Sequence, residues 1–419
     1  MSKKTGVYAV VLITSLFFLW GFALNLNSIL VPHLKKACQL TDLQSAFVDS
    51  AFYIAYFVVA IPAGLFMQKF GYKKGIVFGL SLFAIGAFMF YPAAETRLYG
   101  FFLFALFIIA SGCGFLETAA NPYINNLGDP KDANWRINFA QSFNGVAATI
   151  APKVGGIFIL SGVTLSVSQK AGMSPQQLQD YLQGESNTVK IPYIIIGLVV
   201  LTVAILIWRT NLPDIHEHTD NDDLPTSSGS IFKEKNLMLG VLGIFFYVGA
   251  QASVQSFFIR YSKYVAGIGE KSASGLLSLA FLGFMIGRFA GSVAMRFISP
   301  AKLLIIYCIV NFCLLILAFT LDGNFAVYAI MAVPFFLSIM FPTIFSLSIR
   351  GLGEKTKKGS SLLIMGIVGG AVIPLILGLV SDQSNIRVAY LIPLICFAYI
   401  FYFAFKNIYV KNVQQAISH

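Results

Sequence analysis

Charge is scarce in this chain. Asp, Glu, Lys and Arg make up 11% of its 419 residues, where soluble domains carry about a quarter, and that shortage argues against a water-soluble enzyme. Histidine occurs four times and cysteine five times. His33, His216, His218 and His419 all read as lying outside the apolar runs. Cys38, Cys113, Cys308, Cys313 and Cys396 show no metal-like spacing to them, so neither a metal site nor a disulfide framework is expected. No A-x-A cleavage site follows Lys3-Lys4, and the apolar run from Val7 to about Leu30 is too long for a signal peptide. It reads as a retained first span.

What the chain has instead is apolar surface: 57% hydrophobic and 15% aromatic residues, with a mean hydropathy of +0.77. Many windows exceed the roughly 18 apolar residues that cross a bilayer. Spans are expected near 7–32, 44–68, 75–94, 98–126, 136–162, 191–209, 237–261, 272–295, 303–321, 324–349, 360–380 and 388–406. The fold class is therefore all-α integral membrane, with twelve transmembrane helices. Of the 29 Lys and Arg residues, eighteen fall on the side of the termini, nine on the other side, and Lys153 and Arg288 lie within spans. By the positive-inside rule both termini are cytoplasmic. The net charge of +11 is then a matter of topology, and no nucleic-acid partner is expected. Residues 163–190 form an external loop with a weakly amphipathic patch, and residues 210–236 a polar cytoplasmic linker.

Six spans lie on each side of that linker, and the two sets resemble each other. Gly64-x4-Lys69-Phe70 before Lys73-Lys74 matches Gly291-x4-Arg296-Phe297 before Lys302. Pro122-x4-Leu127 matches Pro342-x4-Leu347, and Ile150-Ala151-Pro152-x2-Gly155 matches Ile373-Pro374-x3-Gly378. Residues 1–209 and 237–419 read as two pseudo-symmetric six-helix bundles, with a substrate site between them near midplane and alternating access by rocking. In the first hairpin Gly64 would allow close helix approach, while Lys69, Lys73 and Lys74 would cap carbonyls and hold an inner gate closed. Arg288 and Arg296 are the gating candidates of the second half.

The polar residues inside the spans suggest the cargo. Glu117, within Phe115-Leu116-Glu117-Thr118-Ala119-Ala120-Asn121-Pro122, is a carboxylate in an apolar segment and so a functional candidate. Asn121 shares its helical face, and Pro122 frees a backbone carbonyl. Asn25 and Asn27 in span 1, Asn138, Gln141 and Asn144 in span 5, and Tyr247, Gln251 and Gln255 in span 7 add amides. Each amide both donates and accepts, which suits vicinal hydroxyls. Trp20, Phe257 and Phe341 offer faces on which a pyranose could stack. A hydroxyl-rich ligand is expected. Drug or lipid efflux would call for a larger and more apolar cavity. An enzyme would need a second acid, a nucleophile–base pair or a metal cluster, and a sensor would need a soluble output domain. No cofactor is expected beyond a coupling ion, H+ or Na+.

Several stretches also resemble the L-fucose–proton symporter family of the major facilitator superfamily. These are Trp20-Gly21-Phe22-Ala23, Asn27-x-Ile29-Leu30-Val31-Pro32, Ser50-Ala51-Phe52-Tyr53, Leu116 to Pro122, Gln141-x-Phe143-Asn144, Gly249-Ala250-Gln251, Ile286-Gly287-Arg288-Phe289 and Pro342 to Leu347. The resemblance implies a hexose importer coupled to a cation in a bacterial inner membrane. A facilitative uniporter is the alternative, and a monomer is expected. It assigns Glu117 to the proton-linked carboxylate of span 4, and Gln141 and Asn144 to sugar-facing amides. Two departures stand out: Ser28 replaces an Asp of span 1, and Met340-Phe341 replaces a Gln-Tyr pair before the proline of span 10. The second substitution points to a glucose- or galactose-like sugar rather than fucose. Lys153 has no ionisable counterpart in the family. Its height along span 5 matches that of Ser28 along span 1, so it is expected to pair with Asp49, or with Glu117 through water, and to share in ion coupling.

Overall fold

The computed structural model describes residues 3–126, 133–163, 165, 167–210, 231–295, 297–350, 352 and 356–408. Every regular element among them is helical. The first half contains α1 (Lys3–Ala37), α2 (Asp42–Phe70), α3 (Tyr72–Thr96), α4 (Tyr99–Asn126), α5 (Ala133–Phe158), α6 (Val167–Ala171), α7 (Pro175–Asn187) and α8 (Lys190–Arg209). The second contains α9 (Lys235–Ala266), α10 (Glu270–Ala294), α11 (Pro300–Thr320), α12 (Gly323–Leu337), α13 (Met340–Ile349), α14 (Thr356–Met365), α15 (Gly369–Gln383), α16 (Ile386–Ala389) and α17 (Leu391–Asn407). Of the linker read at 210–236, residues 211–230 lie outside the described residues.

Eleven stretches among the described residues are long and apolar enough to cross a membrane. Helix α5, at 26 residues, spans about 39 Å at 1.5 Å per residue; Gln141, Asn144 and Lys153 make it the least apolar. With it the chain has the twelve crossings expected, and it is a multi-pass membrane protein. Helix α1 runs past its expected end, which places His33 inside it, fully buried. There the His33 ring nitrogen meets the Glu185 carbonyl at 2.9 Å.

The far-face turns, opposite the termini, are built from local signals. Thr41 and Gln44 form a reciprocal capping box at the start of α2, and Ser174 and Gln177 form another at the start of α7, each satisfying backbone donors that a helix start leaves free. The amphipathic patch of the 163–190 loop is thus a real helix, α7. Its Gln183 and Ser186 bond to the Ala94 carbonyl that ends α3.

The helices pair in the same pattern in both halves. In the first, α1 packs on α5, α2 on α4, and α3 on both α4 and α8. In the second, α9 packs on α15, α10 on α12, and α11 on both α12 and α17. The contacts between halves follow the same relation, α2 against α15 and α10 against α5. Close pairs rest on small residues: a Cβ on Gly112 of α4 would lie 2.5 Å from the Gly79 carbonyl oxygen of α3. Without a water-driven hydrophobic effect inside a bilayer, such close approach is what holds helices together.

Two crossings of the second half are interrupted. The tenth breaks at Ser338–Ile339 between α12 and α13, and the eleventh narrows to a 3-10 turn at Gly366–Val368 between α14 and α15. Irregular backbone at membrane depth is tolerated where it is buried in protein or lines a cavity, so both breaks point toward the interior between the halves.

Candidate functional site

The far face is shut by charged groups from both halves. Asp42, at the start of α2, ion-pairs with Lys35 of α1 and with Arg260 of α9, and accepts a hydrogen bond from Ser381 of α15. The Asp382 carboxylate accepts from the backbone N–H groups of Asp42 and Leu43 at 2.6 and 2.8 Å, so a side chain of the second half caps a helix of the first. Lys36 lies 3.0 Å from both Glu185 of α7 and Glu270 of α10, and all three side chains are at most 8% exposed. Deeper in, the Ser50 hydroxyl donates to the Ala371 carbonyl at 2.7 Å. Removing one partner from a buried pair of this kind costs about 3–5 kcal/mol, because the other charge is left uncompensated. Beside the seal, burial pushes the Cys38 thiol up to about 11, which keeps it protonated and unreactive at neutral pH.

Beyond this seal, toward the face of the termini, the structure brings the amides of the first half together. Asn121 donates to the Glu117 carbonyl at 3.0 Å and accepts from the Gln141 side chain at 3.2 Å, which ties α4 to α5. The Tyr56 hydroxyl of α2 lies against the Glu117 carboxylate. Asn144 packs over Gly21 of α1, where an added Cβ would meet its amide nitrogen at 2.7 Å. Glu117, Asn121, Gln141 and Asn144 all remain partly exposed inside the protein. Two helices, α4 and α5, thus present a carboxylate and three amides, with Gly21 of α1 and Tyr56 of α2 packed against them.

The second half carries aromatic and amide groups of its own. Tyr247 of α9 and Phe341 of α13 sit with ring centroids 6.0 Å apart, and Phe341 continues to Phe345 at 6.3 Å. Phe341 is the second residue after the Ser338–Ile339 break. Gln251 is partly exposed and Gln255 buried, one and two turns along α9 from Tyr247. Arg288 of α10 is exposed and stacks over Phe284 at 5.1 Å. An apolar crevice of about 570 Å³ between α1, α5 and α8, lined by Val11, Phe18 and Val199 among others, includes none of these amides.

Several expectations need correction. Lys153 is exposed and makes no ion pair with Asp49 or Glu117; its long stem reaches the surface, the ordinary behaviour of a lysine near a membrane boundary. Asp49 instead faces Asn27 of α1 and Ser256 of α9, with Arg260 further off. Gly64 has nothing within 4 Å of where a Cβ would stand, so it brings no helices close. Lys69 and Lys74 are exposed and Lys73 partly so, and Lys69 lies over the Phe70 ring; this structure is closed at the far face, and a gate of these lysines is proposed only for the state closed at their own. Arg296 and the side chains of Pro122 and Asn138 lie outside the described residues. Asn25 turns back to its own helix, donating to the Gly21 carbonyl at 2.7 Å, and the Ser28 hydroxyl donates to the Asn25 carbonyl. Trp20 is buried against Phe17 and Phe257 is covered by the Arg260 guanidinium 3.7 Å away. Neither ring offers a free stacking face here.

The seal is what sequence reasoning missed. Lys35, Lys36 and Arg260 enter the positive-inside count only as charges, although their acidic partners Asp42, Glu185 and Glu270 stand at equally regular helix ends. An acid at the first position of α2 and another at the first position of α10 were the available signal.

A two-bundle helical membrane protein with a polar interior site, sealed at one face by contacts between the halves, has the architecture of a secondary carrier. A model of the Major Facilitator Superfamily matches residues 11–367. The chain is 41% identical over 408 residues to a glucose/galactose transporter of Brucella abortus biovar 1 (strain 9-941), covering 96% of this chain and 94% of that one. It is 42% identical over 411 residues to the L-fucose-proton symporter of Escherichia coli (strain K12), covering 96% and 93%. Among solved structures, the transporter FucP in an outward conformation aligns with a TM-score of 0.68 at 40% identity, over 96% of this chain and 99% of that one. A bacterial homologue of the human lysosomal transporter Spinster, inward-facing and occupied, aligns with a TM-score of 0.74 at 16% identity, over 97% of each chain, and shares the fold alone. The chain belongs to the L-fucose–proton symporter family of the major facilitator superfamily, a family of transporters.

Proposed function

We propose that this protein imports a hexose of the glucose or galactose type by alternating access, coupled to a monovalent cation. The observation that carries this reading is the bonded set Glu117–Asn121–Gln141, with Asn144 over Gly21, together with the Tyr247–Phe341 pair of the other half. Amides with donor and acceptor on one group match neighbouring hydroxyls, and an aromatic wall matches the apolar face of a pyranose. The names of the relatives from Brucella abortus and Escherichia coli supply the sugar class. Met340 and Phe341 carry no hydrogen-bonding group into the site from α13, while Gln251 and Gln255 carry theirs from α9, which favours glucose or galactose over fucose. We place the protein in a bacterial inner membrane as a monomer surrounded by lipid, with both termini cytoplasmic. On that orientation the sealed face is external, and the conformation is inward-facing.

The direct test is counterflow of labelled D-galactose in proteoliposomes, competed by D-glucose, N-acetylglucosamine and L-fucose. D-glucose and D-galactose are expected to compete best. A tenfold preference for L-fucose, about 1.4 kcal/mol, would overturn the reading of α13, and no counterflow with any hexose would overturn the sugar assignment. In the same assay Gln141→Ala and Asn144→Ala should each weaken sugar binding by roughly 0.5–1.5 kcal/mol, the usual value of a lost neutral hydrogen bond. Unchanged affinity with a lowered melting temperature would instead make these amides ties between helices.

A further inference from the structure

Asp49 is the buried carboxylate that the seal does not use. It is 2% exposed and lies seven residues into α2, about 10 Å below the closed face at 1.5 Å per residue. Its Oδ2 is buried without a partner. Asn27, 5% exposed, faces it from α1, and the Oδ1 of Asn27 is also buried without a partner. Ser256, 3% exposed, faces it from α9, and one turn before it on that helix the Ser253 hydroxyl is buried and unpartnered as well. Three helices from both halves therefore converge on one carboxylate, with oxygens left open.

The nearby cations are already committed. Lys35 and Arg260 both pair with Asp42, and Lys36 is taken by Glu185 and Glu270. Arg260 also donates to Ser45 at 2.8 Å and lies over Phe257; its Nε and Nη2 are buried without partners, and its charge acts on Asp49 at longer range without an ion pair. The other ionisable groups around Asp49 are Tyr53 on its own helix and Tyr99 on α4, with Asp42 and, from α15, Asp382 at the seal above. None of them brings a positive charge. A buried carboxylate with no ion pair of its own is costly as an ion, so this one favours a small cation.

We propose that Asp49, Asn27 and Ser256 form a second monovalent-cation site, separate from Glu117, that is filled while the far face is closed. The shared chemistry is one positive charge on the Asp49 carboxylate. A proton would occupy Oδ2, and a sodium ion would use the carboxylate, amide and hydroxyl oxygens together, the hard donors such ions prefer. The site spans the division between halves, because Ser256 parts from Asp49 and Asn27 when that face opens. Its cation therefore favours closure by its differential affinity for the closed state. Tyr53 and Tyr56, four and seven residues along α2, connect it to Glu117.

The proposal rests on the symport reading, and its first test needs no sugar. The melting temperature of the purified protein is measured in sodium chloride against choline chloride at constant ionic strength, and across pH in choline chloride. Wild type is expected to be stabilised either by sodium or by falling pH, and the arm that responds names the ion. Asp49→Asn, neutral and of the same shape, should lose that response. In proteoliposomes it should lower accumulation driven by the same cation at least tenfold. Ser256→Ala, which keeps the carboxylate, should weaken the cation response severalfold and serves if Asp49→Asn does not fold. An Asp49→Asn protein that keeps the full response, or a wild type that answers to neither cation, overturns the site. A cation response lost in Asp49→Asn without any hexose counterflow in wild type would leave the site standing and remove the sugar reading.

Discussion

Glu117→Gln is expected to abolish accumulation of sugar against its gradient while exchange of labelled for unlabelled sugar continues. The side chain lies against the Tyr56 hydroxyl, and its backbone carbonyl accepts from Asn121, which Gln141 holds in turn, so the carboxylate stands next to the amides that would hold the sugar. Gln preserves its size and its ability to hydrogen bond, and mimics the carboxyl with its charge cancelled. A carrier locked in that form can bind sugar and rock between faces, because no buried charge has to move. It can no longer make the return of the empty site depend on releasing a cation, and that dependence is what converts an ion gradient into a sugar gradient. The internal-to-external sugar ratio should fall to unity under either a proton or a sodium gradient, with counterflow within a few-fold of wild type. The check is uptake driven by each gradient separately, beside sugar-evoked current. Concentrative uptake by Glu117→Gln would remove Glu117 from the coupling machinery. A wild type that only equilibrates sugar would make the protein a uniporter.

The contrast between Glu117 and Lys153 shows what the sequence could convey. Glu117 was legible because an acid, an amide four residues on and a proline share one apolar span, and local spacing is enough to put the first two on one face. Lys153 was misjudged because its partner was inferred from height along two helices, and height says nothing about which way a side chain points. Turned outward on α5, it reaches the surface instead. The twelve crossings followed directly from apolar length, and the matching motifs of the two halves found a counterpart in the repeated helix pairings. The break at Ser338–Ile339 did not announce itself, although Pro334 and Pro342 flank it, because a proline within a membrane helix often leaves the helix continuous. The seal was hidden for another reason. Its pairs between the halves join residues more than two hundred positions apart, such as Asp42 with Arg260 and Lys36 with Glu270, and only the docking of the halves brings them together.

That docking also makes Gly378→Leu a substitution that should stop transport without preventing folding. On α15, a Cβ at Gly378 would lie 2.7 Å from the Asp42 carbonyl oxygen and 2.8 Å from the Leu43 Cα. Eight residues earlier on the same face, Gly370 is covered by the Tyr53 ring, with the nearest atom 2.6 Å from where a Cβ would stand. The two glycines let α15 lie directly on α2, and at Gly378 the opposing atoms are backbone, which no rotamer change can move aside. A leucine there must push the helices apart. The Asp382 cap on α2, the Ser381–Asp42 bond and the Asp42–Arg260 pair all lie within one turn of that point and would be lost together. The contact exists only when the far face is closed, so the variant should fold in the state with that face open. Uptake and counterflow should both fall more than tenfold, while sugar binding to the purified protein persists. A cysteine at Ser50→Cys, buried at 3% beside the Ala371 carbonyl, reports the same event: a membrane-impermeant maleimide added from the far face should label it much faster in the Gly378→Leu background. Wild-type transport by Gly378→Leu, or a Ser50→Cys that stays shielded, would show that the halves can close without this contact. Loss of sugar binding together with transport would mean instead that the leucine disrupts the bundle itself.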